Sequence, residues 1–373
     1  MQFKLPQLSI RNPCRQCFWQ TEAKIVGAGV GAAIASLCLG FTGVLQVPEW
    51  AVVDLFFRVR PTEPADSRIV VITISDADIS HIGAWPLPDQ ALANLLKKLR
   101  SHQPRAIGLD LYRDLPVQPG ASDLQQVFQT TPNLIGVEKR FGSRRVPPPP
   151  LLAKKEQVAI VDRIEDADGR IRRDLISARA EDGTVHFSLG TRLALDYLDQ
   201  NGIQLESVGQ TGQYRLGRAL FTAFRSNDGG YMRADDAGYQ VLLNFRGGSG
   251  SFTTLSLRDA LSRAASLELV RDRIVLIGSI AESTNDFLLT PYDSGQTDQF
   301  SRTPGVFVHA HAASQMLSAS LDGRPLLRVL PEPLEWLWAV AWSLVGILIS
   351  RRVLQGNWHE RSFFYGQALL GVA

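Results

Sequence analysis

The sequence predicts a mixed α/β domain, with a partly parallel sheet and flanking helices, placed outside the cytoplasm and framed by transmembrane helices. Three observations predict it. Apolar stretches run over Ile25–Val47, over Leu334–Ser350 and from Phe363 to Ala373; about 20 apolar residues in a helix rising 1.5 Å per residue cross roughly 30 Å of hydrocarbon. Between the first two lies a long segment, roughly Pro48–Pro333, with the composition of a water-soluble domain. Inside that segment, β-branched runs alternate with leucines at helical spacing.

Basic residues orient the spans. Lys4, Arg11, Arg15 and Lys24 precede the first against Glu22 alone; Arg351 and Arg352 close the second, and Arg361 precedes the third. Positive residues stay on the cytoplasmic side, so both ends are expected there. The expected order is a cytoplasmic tail over 1–24, a span over 25–47, an extracytoplasmic domain over 48–333, a span over 334–350, a cytoplasmic loop over 351–361 and the start of a third span over 362–373. The first apolar run is long for a signal-peptide core and has no clear small-residue cleavage site, so it reads as an uncleaved anchor, with a cleaved signal as the alternative. Gly27, Gly31 and Ala35 recur every four residues in it, the spacing that lets two helix backbones approach. A homodimer through this stripe is expected, although small residues are common in membrane helices generally.

Along the domain, Arg68–Ser75 is a near-continuous β-branched run, the mark of a strand covered on both faces. Leucines 92, 95, 96 and 99 give Asp89–His102 a helical face. Pro104 stops that helix and Arg105–Leu109 reads as the next strand, completing a βαβ unit whose strands are parallel. A short helix over Asp123–Thr130 and a strand over Leu134–Val137 follow. Pro147–Pro150 reads as an exposed loop or a module joint. Beyond it the pattern turns more antiparallel: Gln157–Val161 and Ile171–Ala180 flank the turn sequence at Asp166–Gly169. A helix is expected over His186–Asp199, strands over Tyr214–Phe224 and Tyr239–Phe245, a helix over Ser256–Ala265, a buried strand over Arg273–Ile277, a last strand over Gly305–Val308 and a helix over His309–Leu317.

Composition excludes several functions. Lys+Arg 39 against Asp+Glu 37 leaves a net charge of +2, and neither a basic helix nor zinc-finger spacing points to nucleic acid. The cysteines are Cys14, Cys17 and Cys38; the first two form a C-x-x-C without a second ligand pair nearby, read as a chance pair or a lipidated thiol. Asp162–Asp168 puts Ile164 and Leu175 where a calcium loop needs ligands. His309 and His311 are two apart, the wrong spacing for one helix face. Gly247–Ser251 lacks the Lys-Ser/Thr of a phosphate loop, and no nucleophile elbow occurs. No metal, cofactor or catalytic residue is therefore expected.

Several strings occur in one order: Asp54–Arg58 (DLFFR), Ile69–Asp76 (IVVITISD), Gly83–Pro88 (GAWPLP), Ala106–Asp110 (AIGLD), Asp168–Arg173 (DGRIRR), Asn244–Gly248 (NFRGG), Arg273–Gly278 (RIVLIG), Asp286 ahead of Thr290–Pro291, and Pro304–Ala310 (PGVFVHA). In this order, from about Asp54 to Gly323, the chain resembles the CHASE2 domain. The resemblance implies an extracytoplasmic sensory module of bacterial receptors in the plasma membrane, with further spans and a cytoplasmic effector following. By that resemblance this chain corresponds to the front portion of such a receptor. Asp89 departs from the family, which often has a basic residue there.

In an open α/β sheet, ligands bind outside the carboxyl ends of the strands. Asp76 and Asp78 follow the first strand, Asp110 the second, Ser279 follows Arg273–Ile277, Asn244 and Arg246 close Tyr239–Phe245, and His309 follows Gly305–Val308. With parallel strands these residues and Asp286 share one rim, and Arg246 is the expected anion contact because guanidinium offers a bidentate fork. Each also has a structural alternative: Asp110 as a helix cap, Arg246 as an ion-pair partner of Asp286 or Asp110. The primary reading is a sensor for a small molecule or a partner protein. A scaffold is the alternative, and an extracytoplasmic hydrolase using Asp110, Asp286 and His309 is less favoured. A polar pocket favours the sensor; a flat apolar patch favours the scaffold.

Overall fold

The computed structural model describes residues 15–248, 250–262, 267–293 and 302–355. Two compact units are each built from separated stretches: Met1–Val47, Asn227–Arg233 and Val329–Ala373 in one, Pro48–Ser226 and Ala234–Arg328 in the other.

In the first unit, helix α1 (Arg15–Thr42) packs against the helix Glu332–Gln355. Each contains a window apolar and long enough to cross a membrane, Ala23–Thr42 and Glu332–Val353. The helix that holds the first expected span ends at Thr42, where a turn at 43–45 separates it from the next helix. The packing uses Gly29, where an added Cβ would overlap the Ile347 side chain. Gly27 and Gly31 have nothing within 4 Å of an added Cβ, and Ala35 is exposed, so the small-residue stripe is not consumed by the chain's own helix pair. Cys38 is exposed. Cys14, the side chain of Cys17, the third span over 362–373 and the end of the loop over 351–361 lie outside the described residues.

Helix α2 (Gln46–Val59) carries the chain into the second unit. There β1 (Ile69–Ile74), α3 (Asp76–Ile82), α4 (Asp89–Ser101), β2 (Ala106–Asp110), α5 (Ala121–Thr130), β3 (Leu134–Glu138), the short α6 (Pro150–Ala153) and β4 (Val158–Ile160) follow in turn. The chain leaves this layer for β5 (Arg173–Arg179), β6 (Val185–Phe187), α7 (Leu189–Asp199), the strands β7 (Leu205–Val208), β8 (Gln213–Leu216) and β9 (Ala219–Phe221), and β10 (Tyr239–Leu242). It returns with β11 (Thr253–Ser256), α8 (Leu257–Leu261) and β12 (Ile274–Ser279); β13 (Phe287–Leu288), β14 (Thr303–Pro304) and α9 (Gly305–Leu317) complete it.

The main sheet has six strands in the order β11-β1-β12-β2-β3-β4, every neighbour parallel. Its continuous apolar runs follow from cover on both faces. Ile69 and Val71 of β1 face a core completed by Leu189 and Leu193 of α7 and Ala310 and Ala313 of α9. Val70, Ile72 and Ile74 face the other, against Leu92, Leu95, Leu96 and Leu99 of α4 and Val127 of α5. Gly190 makes the α7–α9 approach possible, since an added Cβ would stand 2.6 Å from the His309 carbonyl. β1 and β2 are parallel as expected, but β12 lies between them.

Several expectations need correction. Gln157–Val161 and Ile171–Ala180 do not form a hairpin. Val158–Ile160 extends the parallel sheet, while β5 pairs antiparallel with β10 and β6 in a separate one. The turn between them exists, closed by the Gly169 N–H on the Asp166 carbonyl at 2.8 Å, but its carboxylates are drawn to arginines rather than to strand pairing. Pro147–Pro150 is no module joint: Pro150 opens α6 and the chain rejoins the same sheet. His186 belongs to β6, and α7 starts only after Ser188, whose hydroxyl accepts the Thr191 N–H. Tyr214–Phe224 is broken at Gly217 (φ +55°) into β8 and β9. The Ser256–Ala265 helix is seen only as Leu257–Leu261, residues 263–266 lying outside the described ones, and its first residue ends β11. Gly305–Val308 is the first turn of α9 and not a strand. Twelve of the thirteen residues of α9 are buried, so its run is apolar all round, which a short window cannot distinguish from a buried strand.

Candidate functional site

The carboxyl edge of the parallel sheet gathers part of the expected rim. Ser75 caps α3, its hydroxyl accepting the Asp78 N–H, while the Asp78 carboxylate accepts the Ser75 N–H at 2.9 Å and the Arg258 N–H at 3.0 Å. Asp78 is thereby committed to two helix starts. Asp76 is exposed; its carboxylate accepts the Ser283 hydroxyl and, at 2.8 Å, the Glu282 N–H, and the Ser283 bond holds it below the usual carboxylate range. The Ser279 hydroxyl accepts the Ala281 N–H at 3.1 Å and lies 2.8 Å from the Thr284 hydroxyl. These three residues hold the loops that leave β1 and β12.

A different group forms beyond β2. The Arg163 guanidinium donates to Asp286 at 2.8 Å. The Asp286 carbonyl accepts the Gly305 N–H at 3.0 Å, and a Cβ on Gly305 would stand 2.5 Å from the Asp286 carboxylate, so a larger residue at the start of α9 displaces that carboxylate. Asp110 is half-buried at the end of β2. Burial first, then the neighbouring Asp286 charge, pushes its carboxyl up to about 7, with Arg163 acting the other way. The Tyr112 phenol is pushed up to about 12, by burial and by Asp110. One turn into α9, His309 is 5% exposed and its Nε2 has no partner among the described residues. Burial, with Arg163 adding to it, pushes that imidazole down to about 3, so it is neutral at any physiological pH.

Arg163 and Asp286 open onto a cleft of about 770 Å³, lined also by Tyr112, Lys139, Phe141 and Phe287. It lies between the carboxyl ends of β2–β4 and the outer strand β5, which contributes Leu175 and Ala178. Among the described residues no group of three His, Cys, Asp or Glu is arranged to hold a metal ion.

Asn244 and Arg246 are not on this rim. Arg246 donates to the hydroxyls of Ser314 at 3.0 Å and Ser318 at 2.6 Å, to the Pro64 carbonyl at 3.0 Å, and pairs with Asp66 at 3.4 Å. Asp66 precedes β1, so this network sits at the amino end of the parallel sheet. The Asn244 side-chain oxygen accepts from Arg60 at 2.7 Å and Arg324 at 3.2 Å, and its amide donates to the Pro325 carbonyl at 3.0 Å. Arg324 in turn forks onto Glu63. The displacement has a simple cause: the preceding strand, β10, is antiparallel and in another sheet. Neither Asp110 nor Asp286 is the partner of Arg246. Replacing Arg246 by alanine leaves Asp66, 4% exposed, with Arg68 as its remaining cation. The expected result is a loss of about 2–3 kcal/mol in stability, read by urea unfolding; a variant as stable as the parent sinks this assignment.

A second buried network went unrecognised in the sequence. Arg172 donates two bonds to Asp54 of α2, both at 2.8 Å, and others to Asp166 at 3.0 Å and Asp168 at 2.6 Å, while the Trp50 ring lies 5.0 Å from its guanidinium. Arg173 holds Asp166 at 2.8 Å. Both halves stood in the strings Asp54–Arg58 and Asp168–Arg173, but their pairing across 118 residues had no local signal. Asp89 is likewise structural: 2% exposed, it accepts the Val117 N–H at 3.0 Å and lies 3.7 Å from Arg113.

A family model described as the CHASE2 domain matches residues 30–348. No curated protein and no solved structure matches the chain.

Proposed function

The chain belongs to the CHASE2 domain family, a family of extracytoplasmic sensory domains, and from that premise we propose that it is the sensing part of a multi-pass receptor in a bacterial plasma membrane. Its amino terminus is cytoplasmic, it pairs as a homodimer through Gly27, Gly31 and Ala35, and it passes a ligand-dependent change to a cytoplasmic effector. The observation that carries the sensing reading is the 770 Å³ cleft at the carboxyl edge of the sheet, with the Arg163–Asp286 pair in its wall. The cleft also favours a sensor over a flat-faced scaffold.

Transmission follows from α9. Its first turn abuts the Asp286 carboxylate, and its far end supplies Ser314 and Gln315, with Ser318 just beyond, to the Asp66–Asn244–Arg246 network. That network holds residues 60–66 and 324–325. A ligand that moves Asp286 therefore acts on a buried helix whose other end holds these two stretches. A two-state response needs only that the ligand bind one arrangement better than the other.

The full chain in nanodiscs, screened by thermal shift against small metabolites and ions, tests this. A reproducible rise in melting temperature that is lost in Arg163→Gln is expected. A folded chain that responds to no compound overturns small-molecule sensing and turns the search to a protein partner.

A further inference from the structure

The wall of the cleft that follows β3 is held in a fixed orientation. Lys139 and Val146 exchange backbone hydrogen bonds at 3.0 and 2.8 Å, closing the loop between them. The Asp162 carboxylate accepts the Arg140 and Phe141 N–H groups, each at 2.9 Å, and ties that loop to the segment after β4. Lys139 and Phe141 line the cleft. Arg140, between them, pairs instead with Glu138 at 3.4 Å and lies 3.8 Å from Asp182. Extended backbone sends alternate side chains to opposite sides, so a cation and an aromatic ring are offered to the cleft together.

The charges of the lining are unevenly engaged. Arg163 is paired with Asp286 at 2.8 Å, and Arg179 donates to the Gly183 carbonyl at 2.7 Å. Of the acids, Asp162 is bonded by the two N–H groups above and Asp235 by the Ala237 N–H at 2.9 Å. Glu165 and Asp235 are exposed, where solvent screens them. Lys139 is half-buried, and its ammonium has no hydrogen bond or ion pair among the described residues. An ammonium carries three donors and no acceptor, so an acceptor with negative charge completes it best.

Resting on the sensor reading of this cleft, we infer that its ligand is an organic monocarboxylate, whose carboxylate sits on Lys139 and whose apolar body lies against Phe141 and Phe287. The single charge follows from the balance. The lining carries Lys139, Arg163 and Arg179 against Asp162, Glu165, Asp235 and Asp286, so a dianion meets more negative charge than one free ammonium offsets. A cation with the same body finds the half-buried carboxylates, Asp162 and Asp286, already bonded. The body follows from the room available: about 770 Å³ is far more than a carboxylate fills and lies within the roughly 300–1,000 Å³ of pockets that enclose whole organic ligands. Leu175 and Leu288 add to the apolar lining that the two phenylalanines begin.

The test is isothermal calorimetry on the full chain in nanodiscs. The probe is 3-phenylpropionate, set against 3-phenylpropylamine and 3-phenylpropanol, which share its body, and against acetate and phosphate, which lack it. Titrations are made on the parent, Lys139→Met and Lys139→Arg. The expected result is that 3-phenylpropionate binds more tightly than the other four. Lys139→Met weakens it at least about tenfold, the usual loss of a charged hydrogen bond, and leaves the alcohol unchanged, while Lys139→Arg keeps most of the affinity. Carboxylate binding that Lys139→Met does not move overturns the inference. Preference for the amine or for phosphate overturns it too, but leaves the sensor reading standing. If no probe binds, the monocarboxylate is withdrawn, and the sensor reading stands or falls on the metabolite screen with Arg163→Gln. Where Lys139→Met does not fold, Lys139→Arg and the parent's ranking of acid, amine and alcohol decide.

Discussion

Replacing Arg172 by methionine is expected to cost the domain about 3–5 kcal/mol, the usual penalty for removing one partner from a buried ion network. The guanidinium is 4% exposed and serves three carboxylates at once, with Asp54 and Asp166 nearly as buried. Burial works against its charge, but the bonds to Asp168, Asp54 and Asp166 outweigh it and raise its pKa further. Methionine fills much of the same volume and supplies no proton to donate. Asp166 keeps Arg173 at 2.8 Å, but Asp54 is left with Arg170 at 3.5 Å, too long for a good bond. The uncompensated charge is therefore concentrated on α2, the helix that leads from the first apolar span into the domain. Urea unfolding of the full chain measures the loss, and limited proteolysis near residue 54 shows whether α2 has come free. A cost below about 1 kcal/mol, or a loss no smaller when Asp54 is already asparagine, would falsify the clamp.

The second large effect is acid sensitivity carried by His309 and His311. Both imidazoles are buried in α9 and pushed down to about 3, by burial first and then by arginine charge. An unfolded chain takes these protons near 6.5, so below that pH the unfolded state binds more protons and stability falls until about pH 3. Each histidine contributes on the order of 3 kcal/mol of loss by pH 4. Asp110 and Asp174, both pushed up to about 7, act in the opposite sense: the folded state takes their protons first, and stability rises as pH falls from 7 to about 4. Opposing slopes mask one another in the parent, so the measurement is a difference. His309→Leu is the cleaner variant, because His309 Nε2 has no partner among the described residues, whereas His311 accepts the Arg246 N–H at 3.3 Å. Its stability relative to the parent should grow steadily from pH 7 to pH 4; a pH-independent offset would show that His309 carries no proton linkage.

Much of the fold was legible because its signals are local. The run Ile69–Ile74, the leucines of α4 and the stop at Pro104 each state their own element, and the parallel sense of β1 and β2 follows from the connection between them. The misreadings share one origin. Gly305–Val308 looks like a strand because a helix buried on nearly every side has no polar face to reveal its period. Val158–Ile160 and Arg173–Arg179 look like a hairpin because proximity in sequence is the best guess when pairing is unknown. The rim was half legible for the same reason. Asp76, Asp78 and Asp110 follow the two strands whose parallel sense the connecting helix states, and Ser279 follows a third strand that proves parallel to them, whereas Asn244 and Arg246 follow β10, whose antiparallel direction no local pattern states.

The sequence by itself determined the two apolar helices, the α/β alternation between them and the family, since composition, period and ordered strings belong to the chain before it folds. Only the tertiary structure decided which charges meet. It sent Arg246 to Asp66, gave Arg172 to Asp54, and paired Arg163 with Asp286. Ion pairs in a buried site are chosen by strand order and helix approach, and those depend on contacts between residues a hundred or more positions apart.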